Sequence, residues 1–222
     1  FTLIRYGKDT EGTKYSIEQK QKTMYDIAVN AAKAGKVTIV CTGLENLPEK
    51  DGYLLCPNHQ GMFDIIQMLS THKRPFGIVL KKELENIIGI KQAVKGLHYL
   101  CMDREDVKQS FKVIMEMTKR MKDGENMCIF PEGTRSRDNE ILEFKGGSFK
   151  PATKNKAPIV PVAMVNSFKP FDSGSIAPVT TQIHYLKPLY YEDYAGMNTN
   201  EIAQEVEKCI RSKIAEVLAQ ES

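Results

Sequence analysis

The chain has 222 residues, 41% hydrophobic and 27% charged, with 31 basic against 28 acidic side chains and a formal net charge of +3. That length supports one sizeable core, and the composition excludes a disordered chain or a disulfide scaffold. So even a charge balance gives no reason to expect nucleic acid as a partner.

Ser16-Ile-Glu-Gln19 forms a capping box that predicts a helix to about Ala34, stopped by Gly35. The period then changes. Short apolar, β-branched runs follow at Val37 to Cys41, Tyr53 to Cys56, Phe76 to Leu80, Tyr99 to Met102, Met127 to Phe130, Ile159 to Val165 and Thr180 to Leu186, each bounded by Gly, Pro or charge. These seven are strand candidates. Between them Phe63 to Leu69 reads as helix, and so does Asp106 to Lys122, with Val107, Phe111, Ile114, Met115, Thr118 and Met121 assigned to its core face. A last helix spans about Asn200 to Leu218, with Ile202, Val206, Ile210, Ile214, Val217 and Leu218 spaced to cover a core. Alternating strands and helices predict a single-domain α/β protein, an αβα sandwich with helices on both faces of one sheet.

The cysteines, at positions 41, 56, 101, 128 and 209, include no C-x-x-C pair and mostly sit in apolar runs, as reduced thiols of a cytosolic compartment do. No run reaches the roughly 18 apolar residues of a membrane-spanning helix, and no secretory signal is visible. The chain opens on Phe1 rather than methionine, which leaves room for a leader or anchor upstream.

"CPNHQGMFD", residues 56 to 64, leaves a strand and enters a helix, with His59 in the turn and Asp64 in the first helical turn. Five residues along a continuous helix would hold the two side chains apart. A loop-to-helix corner can instead fold the imidazole back onto the carboxylate, at the carboxyl ends of the strands where α/β proteins bind ligands. Such a pair suits general-base chemistry on a hydroxyl. Taken alone, the pattern equally describes a surface histidine and a helix N-terminal charge. His72, His98 and His184 have no ligand spacing, so a metal site is not expected. Cys56, three residues before His59, allows a covalent acyl-enzyme on paper but ends an apolar strand and reads as core.

A second stretch, "FPEGTRSR" at 130 to 137, runs from an apolar strand into an acid, a glycine, hydroxyls and two arginines. Arginine forks suit phosphate oxygens and Gly133 permits close backbone approach, although an exposed ion-paired turn has the same composition.

Together these motifs resemble the glycerolipid acyltransferase family, most closely its 1-acylglycerol-3-phosphate (lysophosphatidic acid) acyltransferase branch. "GLENLP" at 43 to 48, "NHQGMFD" at 58 to 64, "FPEGTRSR", "FKGGSFK" at 144 to 150 and "APIVPVAMVN" at 157 to 166 are similar to the family's segments in order and spacing. The block from 81 to 106 keeps the opening Lys81-Lys82-Glu83-Leu84 and the closing Asp103-Arg104. It departs where Ile88 replaces a usual proline and Lys91 and His98 replace glycines.

The resemblance implies a mixed sheet and an acyltransferase domain over 37–222; residues 1–36 carry no motif of the family and are expected to form an N-terminal helical segment that could meet a membrane surface. It implies transfer of an acyl chain from an acyl-carrier protein or coenzyme A thioester to the free hydroxyl of 1-acylglycerol-3-phosphate, giving phosphatidic acid without metal or further cofactor. His59 is then the base and Asp64 its orienting partner. Arg135 takes the acceptor phosphate, with Arg104 and Lys81 as further contacts. Glu132 meets the glycerol or orders the loop, and Asn58, Gly133 and Thr134 belong to the binding motifs. Lys81 or Lys82 and backbone N–H groups near Gly133 are the oxyanion donors.

Long-chain substrates imply a membrane surface on the cytoplasmic face, met through residues 1 to 7, the basic Lys20, Lys22 and Lys33, or positions 73 to 82. The first helix packing on the sheet is an equal alternative. Other acceptors, a lipid-binding protein without turnover and a hydrolase using the same pair on water are the competing functions.

Overall fold

The computed structural model describes residues 2–9, 14–87, 90–172, 174 and 177–221; Phe1 and Ile88 lie outside them. In chain order the elements are helix α1 (Thr2–Lys8), α2 (Ile17–Ala34), strand β1 (Val37–Thr42), β2 (Leu54–Pro57), α3 (Asp64–Thr71), β3 (Phe76–Lys81) and α4 (Ile90–Leu97). There follow β4 (Leu100–Met102), α5 (Val107–Lys122), β5 (Asn126–Cys128), α6 (Lys150–Asn155), β6 (Ile159–Val165), α7 (Lys169–Asp172), β7 (Val179–Tyr185), α8 (Tyr191–Tyr194) and α9 (Thr199–Glu221). The capping box forms as expected: Gln19 N–H donates to Ser16 Oγ and Ser16 N–H to Gln19 Oε1.

All seven apolar runs become strands of one sheet, in the order β1-β7-β6-β2-β5-β3-β4. The pairs among β6, β2, β5, β3 and β4 are parallel, β7 runs antiparallel to β6, and β1 is parallel to β7. The sheet is therefore mixed. Residues of β6 alternate between two buried faces: Ile159, Ala163 and Val165 join Leu54 and Cys56 in a core with α5, α6 and α9. Val160, Val162 and Met164 join Leu55 in a core with α2, α3 and α4. Burial on both sides explains why the central strands read as continuous apolar runs instead of alternating ones. The carboxyl ends of β2, β3, β4 and β5 point the same way, so the segments that follow them meet at one end of the strands.

Two assignments made from the sequence need correction. Of the face assigned to helix α5, Met121 is buried and Ile114 packs on the core, but Val107, Phe111 and Met115 are exposed at 80%, 57% and 41%, and the helix buries Val113 and Met117 instead. The helix carries two apolar stripes, and the sheet took the one containing Met117, which fits beside β5. Lys20 is not a surface cation: it is 2% exposed, 3.2 Å from Asp9 Oδ2, and donates to the Asp9 carbonyl at 2.9 Å. Lys22 and Lys33 remain exposed. Helix α9 buries Ile202, Val206, Ile210, Ile214 and Val217 as its spacing predicts.

His98 has φ of 55°, the left-handed region that favours glycine, which accounts for the glycine expected there. His72 is fully buried, bonded to Tyr53 Oη and the Arg74 carbonyl, and burial lowers its pKa to about 4. Its role is structural.

Candidate active site

Strand β2 ends at Pro57, and the side chain of Asn58 continues the ladder, donating to the Met164 carbonyl and accepting from the Met164 N–H. This fixes the turn that carries His59. His59 Nδ1 donates to Asp64 Oδ2 at 2.6 Å. The same oxygen accepts from the Gln60 and Gly61 N–H groups, and Oδ1 accepts from Ser167 Oγ at 2.5 Å. The fully buried Asp64 therefore accepts four hydrogen bonds, and the corner brings histidine and carboxylate together. With the proton on Nδ1, the lone pair is on Nε2, which has no hydrogen-bond partner among the described residues. The ring packs on Phe130, centroids 4.1 Å apart, so both strand ends contribute to its orientation.

The loop after β5 is tied to this turn at three points. Glu132 Oε1 accepts the His59 N–H at 2.6 Å, Ser136 N–H donates to the His59 carbonyl, and Arg137 N–H donates to the Gln60 carbonyl. Glu132 Oε2 accepts the Leu142 N–H at 3.0 Å. Burial raises its carboxyl pKa to about 7, outweighing the two N–H groups that favour the charged form. Both oxygens of Glu132 are occupied by backbone, as in a clamp on the loop. Gly133 adopts φ of 72°, and its N–H donates to the Phe130 carbonyl. The next two N–H groups, of Thr134 and Arg135, make no hydrogen bond among the described residues.

A cleft of about 610 Å³ opens beyond these strand ends, lined by His59, Lys81, Arg104, Thr134, Arg135 and Arg137 with apolar walls that include Ile65, Leu84 and Ile90. Asn58, Asp64 and Glu132 stand behind its wall. Lys82 does not line it and pairs with Asp103 at 3.1 Å, whereas Lys81 lines the cleft while pairing with Glu83 at 2.6 Å. Arg135 Nη1 lies 3.3 Å from Asp172 Oδ1, and Asp172 Oδ2 accepts the Met62 N–H. Arg104 is shared with an adjoining cavity of about 200 Å³ that also includes Gly133 and Lys145. A third cavity, of about 500 Å³ at the amino ends of β3 and β5, includes none of the motif residues.

Gln60, Ser167 and Asp172 are the site residues that sequence reasoning missed, and Arg137, read only as part of the arginine-bearing loop, joins the cleft wall. Ser167 lies one residue beyond the last motif, and nothing local marks Asp172; only the fold brings either to the corner. Cys56 is fully buried and its thiol pKa is raised well above the usual range, which removes it as a nucleophile. Among the described residues no cluster of His, Cys, Asp and Glu could hold a metal ion, and no helix is long and apolar enough to cross a membrane.

Residues 38–165 match the family described as Acyltransferase. A 1-acyl-sn-glycerol-3-phosphate acyltransferase of Borreliella burgdorferi is 30% identical over 131 residues, 59% of this chain and 52% of that protein. One from Bacillus subtilis is 29% identical over 204 residues, 87% of this chain and 96% of that protein. The plant protein LPAT1 of Arabidopsis thaliana is 32% identical over 60% of this chain and 37% of its own length, so the chain spans about half or less of some of the relatives it matches. In fold, the crystal structure of the 1-acyl-sn-glycerophosphate (LPA) acyltransferase PlsC from Thermotoga maritima is similar with a TM-score of 0.78. It shares 23% identity over 90% of this chain and 80% of that one.

Proposed function

From the premise that this chain belongs to the acyltransferase family, we propose that it moves a fatty acyl group from an acyl thioester to the free hydroxyl of 1-acylglycerol-3-phosphate, forming phosphatidic acid. The observation that carries the reading is the 2.6 Å bond from His59 Nδ1 to Asp64 in a cleft that also contains Arg104, Arg135 and Arg137. Nε2 of His59 takes the proton of the acceptor hydroxyl as its oxygen attacks the thioester carbonyl. The C–O bond forms, the C–S bond breaks, and the imidazolium returns the proton to the departing thiolate. Asp64 holds the ring and offsets its transient charge. Lys81 and the Thr134 and Arg135 N–H groups are the donors for the oxyanion, and Arg135 is the principal cation for the acceptor phosphate. Glu132 orders the loop through its two backbone contacts.

The donor is carried by acyl-carrier protein or coenzyme A, and the reaction takes place at the cytoplasmic face of the cell membrane. A second reading keeps the chemistry and changes the acceptor to glycerol-3-phosphate, another lysophospholipid or an amino-acid-derived lipid. It is favoured by one observation: Ile90, inside the stretch from 88 to 98 that departs from the family pattern, lines the cleft.

The test is acyl transfer from labelled thioesters of both carriers to a panel of 1-acylglycerol-3-phosphate, glycerol-3-phosphate and uncharged lysolipids. We expect preference for the 1-acyl phosphate and loss of turnover in His59→Ala with an unchanged circular dichroism spectrum. Arg135→Ala should raise the acceptor KM roughly tenfold or more, the scale of one hydrogen bond to a charged group. Turnover retained by His59→Ala rules out the base, and preference for another acceptor selects the second reading.

A further inference from the structure

The stripe of α5 that the core leaves uncovered has a defined chemistry. Its exposed positions are Val107, Lys108, Phe111, Lys112, Met115, Lys119 and Lys122, three apolar side chains and four lysines with no acid among them. At 3.6 residues per turn they fill one arc of roughly 140°, with Val107, Phe111 and Met115 along one side, Lys108, Lys112 and Lys119 along the other, and Lys122 in line with the apolar members at the end of the helix. The ridge runs roughly 22 Å at 1.5 Å per residue. Glu116, the acid within the helix, is half-buried and paired with Arg120 at 2.9 Å. Glu105 and the capping Asp106 precede the ridge. Helix α6 widens the positive area with exposed Lys150 and Lys154, the latter placing Nζ 3.4 Å from Met115 Sδ.

We propose that this face of α5 docks the protein on an anionic lipid surface, with Val107, Phe111 and Met115 entering the headgroup region and the lysines meeting lipid phosphates. An apolar stripe flanked by lysine is the pattern of an interfacial helix, and several lysines acting together supply attraction to anionic lipid. Charge complementarity and shape both favour a bilayer over a protein partner. The three apolar side chains stand on a convex ridge and line none of the cavities described above, so a fluid interface can receive them without a matching surface. The ridge also adjoins the site: Ser110 and Ile114, on the neighbouring side of the helix, line the smaller cavity with Arg104, and Arg104 also lines the main cleft. Docking here would hold the cleft beside the membrane that supplies a lipid acceptor. The inference extends the acyl-transfer reading, but its binding test needs no turnover, so the two can fail separately.

The 222-residue chain would be sedimented with vesicles of phosphatidylcholine alone and of phosphatidylcholine with phosphatidylglycerol in equal parts, at low and high salt. The expected result is binding to the mixed vesicles only, weakened by salt. Lys108→Gln/Lys112→Gln should lower partitioning roughly thirtyfold, and Val107→Ser/Phe111→Ser should also lower it. Both double variants should keep wild-type turnover of a short-chain, water-soluble acceptor, which reports that they are folded. Vesicle binding equal to wild type in both variants overturns the proposal, as does absence of binding by the wild-type chain. Unchanged vesicle binding with turnover lost only when acyl-carrier protein is the donor also overturns it and assigns the ridge to an acidic protein.

Discussion

Glu132 joins two loops through one carboxylate, and its burial makes that joint sensitive to pH. Its pKa is raised from 4.5 to about 7 in the folded protein. Between these values the native state binds more protons than the unfolded state, so this group makes stability fall as pH rises, and the effect levels off above about 7. Glu132→Gln removes the titration. The difference in melting temperature between wild type and variant should therefore move against the wild type as pH rises from about 5 to about 8. A difference that stays flat would mean that Glu132 titrates normally. The His59–Asp64 contact was legible because a loop-to-helix corner can fold the imidazole back onto the carboxylate, whereas Asn58, Glu132 and Arg135 were singled out by the resemblance of their motifs to the family's. Ser167 was not, since its contact with Asp64 spans 103 positions in sequence.

Among the elements, α1 and α4 cross at glycine. A Cβ added to Gly96 would lie 2.9 Å from the backbone and Cβ of Tyr6, so the crossing leaves no room for a side chain. Gly96→Val should push α1 away at a cost of about 1–3 kcal/mol. Tryptic cleavage after Arg5 and Lys8 should accelerate, and unchanged cleavage would show that α1 finds another seat. Helix α2 is fixed similarly by Ala28 and Ala32 against the sheet, and Lys20 by Asp9. Helix α5 shows the limit of periodicity: residues 107, 111 and 115 satisfy the spacing of a core face as well as residues 113, 117 and 121 do. Only the neighbouring strands and α6 decide which stripe is covered.

At the scale of the molecule, two cores lie on either side of the sheet, and the candidate site lies at the carboxyl ends of its parallel strands. Met117 is fully buried in the α5 side of the core and lines none of the cavities described. Met117→Ala should lower unfolding stability by about 2–5 kcal/mol while leaving acceptor KM unchanged at a temperature where the protein stays folded. A raised KM would mean that the core transmits strain to the cleft.

Residues close together in the chain, where periodicity and turn chemistry act directly, are enough to place the strands, the helix ends marked by caps and glycines, and the His59–Asp64 corner. Tertiary structure decided the strand order, the reversal at β7, the buried stripe of α5, the sequestration of Lys20 and the contacts of Ser167 and Asp172. Those depend on which surfaces meet, and that is set by packing between segments distant in sequence.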